Sequence, residues 1–212
     1  MAALGHAPSL GTGSVRRVAQ LMRLFPHARF APIRGNLDTR LRKLDAGEYD
    51  AVILAAAGLR RLGFASRISF ALPVEACVPS PGQGIVAVEI RSDDNEVRRI
   101  VARIDDPRTG AALAAERALV DALGGGCQTP IGALASPSGP AEGNEIDLVA
   151  VVVSLDGSRL VRAAARGAAG EATAIGVRVA AELIAGGAGD ILADARRAQD
   201  REGRDTAGGT QR

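Results

Sequence analysis

Residues 51–56 form an uninterrupted apolar run, Ala-Val-Ile-Leu-Ala-Ala, closed off by turn signals. A run this apolar suits a strand buried on both faces of a parallel sheet, and a parallel sheet requires crossover segments before and after it. The upstream sequence supplies them. Val15, Val18, Ala19, Leu21, Met22 and Phe25 fall on one helical stripe, with Ser14 placed as the N-cap and Pro26 as the stop. Residues 29–33 read as a strand and 34–36 as a turn. Asp38 is placed as the cap of a helix reaching about Ala46, which Gly47 ends. Residues 1–10 read as a loose lead-in running into the loop Gly11-Thr12-Gly13-Ser14, with no complete strand before it. Strand and helix alternate here, so the class is α/β.

The grammar changes further on. Residues 79–84 are rich in Pro and Gly and read as a hinge or crossing, and 85–90 as a further β run. Residues 95–104 and 109–123 have helical patterning. Strand candidates at 131–135, 146–155 and 160–166 follow, with Asp156-Gly157 as a hairpin signal between the last two. Helices are expected at 171–185 and 190–198. This grouping predicts an α+β domain over 107–200, and residues 201–212 read as a disordered tail.

Composition removes several classes of function. The 26 basic and 24 acidic residues leave a net charge of only +2, too balanced for a bulk nucleic-acid or membrane-surface binder. Aromatics are 2% of the chain, which argues against a base-stacking platform. No apolar run reaches the about 18 residues of a membrane span, and residues 1–10 do not read as a secretory signal. Two cysteines, Cys77 and Cys127, make no disulfide framework, and a cytoplasmic location is expected. Lys43 is the only lysine, so any anion site must be built from forked guanidinium groups.

Two loops have that character. Gly11-Thr12-Gly13-Ser14-Val15-Arg16-Arg17 opens a helix, where unpaired N–H groups and the helix dipole favour an anion. A capped helix with solvated arginines explains the same residues about equally well. Arg34-Gly35-Asn36-Leu37-Asp38-Thr39-Arg40 is a second strand-to-helix turn with an Arg at each end, and such loops lie where ligands bind in open parallel sheets. Together they suggest a cleft for a multiply anionic ligand. A third loop, Gly124-Gly125-Gly126-Cys127-Gln128-Thr129-Pro130, exposes a cysteine that is either an attachment point or a small apolar cap. His6 and His27 lie far from it in sequence, so no Cys–His pair is supported. Cys77 reads as a small buried hydrophobe. Gly82-Gln83-Gly84 reads as a tight crossing with one amide available to a ligand, and zinc-type spacing is absent.

In order along the chain stand Gly11-Thr12-x-Ser14-x-Arg16-Arg17, Ile33-Arg34-Gly35-Asn36-x-Asp38-Thr39-Arg40-Leu41 and Leu44-Asp45-x-Gly47-Glu48-Tyr49-Asp50-Ala51. Leu54-Ala55-x-Ala57-Gly58-Leu59-x-Arg61-Leu62-Gly63, Gly82-Gln83-Gly84 and Gly125-Gly126-Cys127-Gln128-x-Pro130-Ile131-Gly132 follow. The set resembles the porphobilinogen deaminase, or hydroxymethylbilane synthase, family. The resemblance implies a periplasmic-binding-protein-like α/β domain with a remnant of its partner domain, followed by a small α+β C-terminal domain. Residues 1–80 would be the second α/β domain, 84–104 the returning strand and helix of the first, and 107–200 the cysteine-bearing third.

The resemblance also implies a transferase that joins four porphobilinogen units head to tail with release of ammonia, and then frees a linear tetrapyrrole. Growth occurs on a dipyrromethane cofactor held by a thioether, and Cys127 matches the attachment position. Thr12, Ser14, Arg16 and Arg17 match cofactor-binding positions, and Arg34, Arg40 and Gln83 substrate-binding ones. Gly13 stands where the family has a serine. The family carries on the order of 100 residues, a domain-sized segment, ahead of the Gly-Thr loop, including the catalytic Asp. No catalytic residue is therefore assigned here, and the chain is expected to be an incomplete enzyme, monomeric and in need of that domain. The alternative is a catalytically inactive anion- or tetrapyrrole-binding remnant. No nucleic acid and no membrane are expected as partners.

Overall fold

The structure is a computed structural model describing residues 4–125, 129–138 and 144–208, with 202–208 as backbone only. Strand β1 (Ser9–Gly11) leads into helix α1 (Val15–Met22), β2 (Arg29–Ala31), α2 (Leu37–Asp45), β3 (Ala51–Val52) and α3 (Ala56–Arg61). The three strands form a parallel sheet in the order β2-β1-β3, with Leu10 level with Phe30 on one side and Ala51 on the other. Leu10, Leu21, Ile33, Leu41 and Leu59 bury its core.

Several expectations are corrected here. The end of the lead-in is the central strand, tied by Ser9 N–H to Asp50 Oδ2 at 2.7 Å, although three residues are too few to show a period. The apolar run at 51–56 is a two-residue strand that turns into α3, with Ala55 as the N-cap. Its residues are half-buried because β3 is an edge strand. The α2 cap is Asn36, whose Oδ1 accepts from Thr39 N–H at 2.9 Å. Asp38 lies inside the helix and pairs with Arg42 at 3.0 Å.

Residues 85–90 form no strand, because no strand edge among the described residues lies alongside to take up their backbone groups. Val86 and Val88 are 66% and 54% exposed. Helix α4 (Asn95–Val101) and its 3-10 extension (Ala102–Ile104) likewise leave Ile100 and Ile104 in solvent.

The second unit is built on α5 (Pro107–Ala122), β4 (Ile131–Ser138), β5 (Glu145–Val153), β6 (Leu160–Ala168), α6 (Ala172–Ala185) and α7 (Ala188–Gly208). Its antiparallel sheet has the order β4-β5-β6. Along β5 the inward set Ile146, Leu148, Ala150 and Val152 packs against the helices. On the opposite face, Val151 and Val153 pack against Ala19 of α1 and Val78, which joins the two units. At Gly176 the α5 and α6 backbones approach so closely that an added Cβ would lie 2.9 Å from that of Ala118. The backbone of α7 continues as helix to Gly208, so residues 201–208, read from composition as disordered tail, are helical.

Candidate functional site

The site starts at the carboxyl edge of the parallel sheet, where the chain leaves β1 and enters α1. Thr12 is buried, with its N–H bonded to Ala31 O at 3.0 Å and its Oγ1 accepting from Ser14 N–H at 3.3 Å. Ser14 caps α1 as expected, accepting from Arg17 N–H at 3.4 Å. The loop is therefore held by its own hydroxyls, and the first turn of α1 faces the edge where ligands of open α/β sheets bind.

The two arginines of the motif diverge. Arg17 crosses the sheet edge, donating from Nη1 to Ile53 O at 2.7 Å and from Nη2 to Gln83 Oε1 at 3.3 Å. Arg16 turns the other way and is only 6% exposed. Its Nη1 donates to Val78 O at 2.7 Å, beside Gln20, whose Nε2 donates to the same oxygen at 3.1 Å and whose Oε1 accepts Val78 N–H at 2.8 Å. Burial and then the neighbouring Arg17 charge lower the Arg16 pKa to about 10, and burial and the Arg40 charge lower that of Arg17. Gln20 was missed in the sequence; the only available signal was an amide three residues past the Arg pair on the helix that Ser14 caps.

Arg40 donates from Nε to Gly35 O at 2.8 Å, and its charge reaches Arg17. Arg34 is exposed and makes no hydrogen bond or ion pair with the described residues. The two loops are adjacent, since a Cβ on Gly13 would lie 3.2 Å from Ile33 O. None of the ion pairs among the described residues engages Arg16, Arg17, Arg34 or Arg40. The structure thus brings together Thr12, Ser14, Arg17, Arg40 and Gln83, sets Arg34 on the adjoining loop, and gives Arg16 a buried backbone partner.

Cys77 is corrected from buried hydrophobe to a half-buried thiol beside the Arg16 guanidinium. Burial raises its pKa, and the Arg16 and Arg17 charges act against that rise. Cys127, with Gly126 and Gln128, lies outside the described residues. Glu116 on α5 was also missed. It is 3% exposed, with Oε2 accepting from Gly82 N–H at 2.5 Å and Oε1 from Ala135 N–H at 2.7 Å. No group of three or more His, Cys, Asp or Glu side chains that could hold a metal ion is found among the described residues, and no described helix is long and apolar enough to cross a membrane.

Uncompensated guanidinium groups beside a helix N-terminus form a receptor for carboxylates or phosphates. Comparison with known proteins narrows the choice. The family model for the dipyrromethane cofactor binding domain of porphobilinogen deaminase matches residues 1–99, and that for its C-terminal domain matches 111–185. The porphobilinogen deaminase of Roseiflexus castenholzii is 45% identical over 193 residues, covering 91% of this chain and 62% of the relative. That of Desulforudis audaxviator is 48% identical over 187 residues, 88% of this chain and 59% of its own. That of a Nostoc species is 48% identical over 183 residues, 86% and 55%. The chain thus spans between 55% and 62% of the length of these relatives. Similarity of this extent, running through both units and both arginine-bearing loops, establishes that the chain belongs to the porphobilinogen deaminase family.

Proposed function

We propose that the chain contributes the carboxylate-binding half of a hydroxymethylbilane synthase, which condenses four porphobilinogen units with loss of ammonia. The supporting observation is the donor set at the β1–α1 turn: Arg17, Arg40, Thr12 and Ser14 lie there, and among the described residues no carboxylate is paired to the arginines. Each porphobilinogen carries an acetate and a propionate, so a growing chain presents several carboxylates to such a surface. Forked guanidinium donors bind carboxylates with two parallel hydrogen bonds and fix their orientation.

The same donor set fits a dipyrromethane group, whose carboxylates need the same partners. In this reading Cys127 holds the group through a thioether, Thr12, Ser14, Arg16 and Arg17 hold its acidic side chains, and Arg34, Arg40 and Gln83 meet the incoming substrate. When bound, the group supplies the pyrrole on which the chain grows. The protein's own work is to anchor and orient: Arg17, steadied by Ile53 O, presents a fixed charge, while exposed Arg34 reaches out to ligand. Residues 84–104, in which 85–90 form no strand by themselves, belong in this reading to a neighbouring α/β domain, supported by the exposure of Val86, Val88, Ile100 and Ile104. The periplasmic-binding-protein-like architecture is proposed on the same basis, supported by the parallel β2-β1-β3 sheet.

Intact mass tests the reading. The purified chain should exceed 21.7 kDa by two pyrrole units, and Cys127→Ala should lack the increment. An increment retained in Cys127→Ala would overturn the attachment. An unmodified wild-type chain that also gains no mass when supplied with porphobilinogen would overturn cofactor binding.

A further inference from the structure

Glu116 presents a physical problem that the proposed function leaves open. Its carboxylate is buried on the apolar stripe of α5 among Ala112, Ala115 and Leu119, where an aliphatic side chain would pack without desolvation. A buried carboxylate is costly unless its oxygens are satisfied, and no cation pairs with this one among the described residues. Both oxygens accept from backbone N–H groups of two other segments, Gly82 in the crossing and Ala135 in β4. Strand β4 is an edge strand of its sheet, and the crossing covers that edge: Ala133 N–H donates to Pro79 O at 2.9 Å, and Ala135 N–H is taken by Glu116.

Gly82 is followed by Gln83, which reaches Arg17. A continuous set of contacts therefore runs from α5 through Glu116, Gly82 and Gln83 to the guanidinium at the sheet edge. On its far side the crossing is held by Arg61, which donates to Gly84 O.

We infer that Glu116 is a positioning residue: it pins the crossing against β4 so that Gln83 holds Arg17 in its ligand-facing orientation. The role in binding rests on the functional reading above; the pinning does not. Glutamine at 116 offers one accepting oxygen and a donating amide group, so one of the two N–H groups must lose its partner.

The test combines amide hydrogen exchange with a double-mutant cycle, using porphobilinogen as the probe. In Glu116→Gln, exchange at Gly82 or Ala135 should accelerate about tenfold or more relative to the remaining α5 and β5 amides. Porphobilinogen affinity should fall about fivefold, and by a similar factor in Gln83→Ala. The double variant should bind no more weakly than Gln83→Ala alone, because both changes act through one contact. Additive losses would overturn the positioning role, since a purely structural defect multiplies with the Gln83 loss. Unchanged exchange at both amides would overturn the pinning itself. If Glu116→Gln does not fold, Glu116→Asp keeps the charge on a shorter arm. It should then deprotect Gly82 or Ala135 while leaving the other protected, and full protection at both would reject the inference. Failure of the unsubstituted chain to bind porphobilinogen would reject the functional reading and the coupling, while exchange would still decide the pin.

Discussion

Arg16 and Arg17 are adjacent in the chain, and the helix carries their guanidinium groups into different surroundings. Arg16 is buried beside Gln20 and holds the Val78 carbonyl, at the seam where α1 meets the second unit. Arg34, by contrast, is exposed and unpartnered among the described residues. Removing Arg16 should therefore cost stability, about 1–3 kcal/mol for a lost buried charge-assisted hydrogen bond, read from denaturant midpoints. Removing Arg34 should leave stability within about 0.5 kcal/mol while weakening porphobilinogen binding about tenfold or more, as expected for charge-assisted contacts to a carboxylate. Denaturant midpoints and calorimetric titration of the two alanine variants check this, and a stability loss in Arg34→Ala with none in Arg16→Ala would show that burial of the Arg16 guanidinium against Val78 O contributes nothing to the fold.

The β5–β6 hairpin shows how a short turn fixes an element. Gly157 adopts φ +71°, and a side chain there would press on α1, since a Cβ would lie 2.7 Å from Ala19 O. Beside it Asp156 accepts from Ser154 Oγ at 2.5 Å, Ser158 N–H at 3.0 Å and Ser158 Oγ at 2.8 Å. These bonds, the Ser154 one foremost, hold its pKa down to about 2. A depressed folded-state pKa contributes stability that is present above the ordinary value of 3.8 and is lost as pH falls through about 2. Asp156→Asn should therefore show a flatter loss of stability than wild type between pH 4 and about 2, read by urea unfolding across that range. Parallel curves would mean that the turn does not depend on the charge.

At the scale of the molecule, two sheets of different construction share one seam. It consists of Ala19, Val78, Val151 and Val153, the Arg16–Gln20 grip on Val78, and Glu116 bridging the crossing to β4. Burial raises the Glu116 pKa above the ordinary 4.5, outweighing the Gly82 and Ala135 hydrogen bonds that lower it. A raised folded-state pKa contributes stability that is complete below 4.5 and is lost as pH rises through the folded value. The stability of wild type relative to Glu116→Gln should accordingly decline as pH rises from 4 towards 7. A relative stability that instead grew with pH would show that the ionised carboxylate is favoured by its two N–H donors.

Much of this was legible in the residues. Ser14 caps α1, Asp156-Gly157 makes the hairpin, and the strand expected over 146–155 is found as β5. Each of these follows from local chemistry, a capping hydroxyl, a positive φ or an apolar run bounded by turn signals. The two arginine-bearing loops were legible as neighbours for a related reason: strand-to-helix turns of one parallel sheet lie together at its carboxyl edge. What local chemistry could not decide was whatever depends on partners far along the chain. Ser9–Gly11 is a strand because β2 and β3 flank it, whereas residues 85–90 have strand-like composition and no flanking strand edge among the described residues. Asn36 displaced Asp38 as cap because of where the preceding turn delivers the backbone. Arg16 and Arg17, identical in type and adjacent in sequence, were separated by helix phase and by what packs on each side of α1. Glu116 looked like one more charged residue on a helix. Only the tertiary structure, by bringing Gly82 and Ala135 to it across separations of 34 and 19 residues, made it the link between the two units.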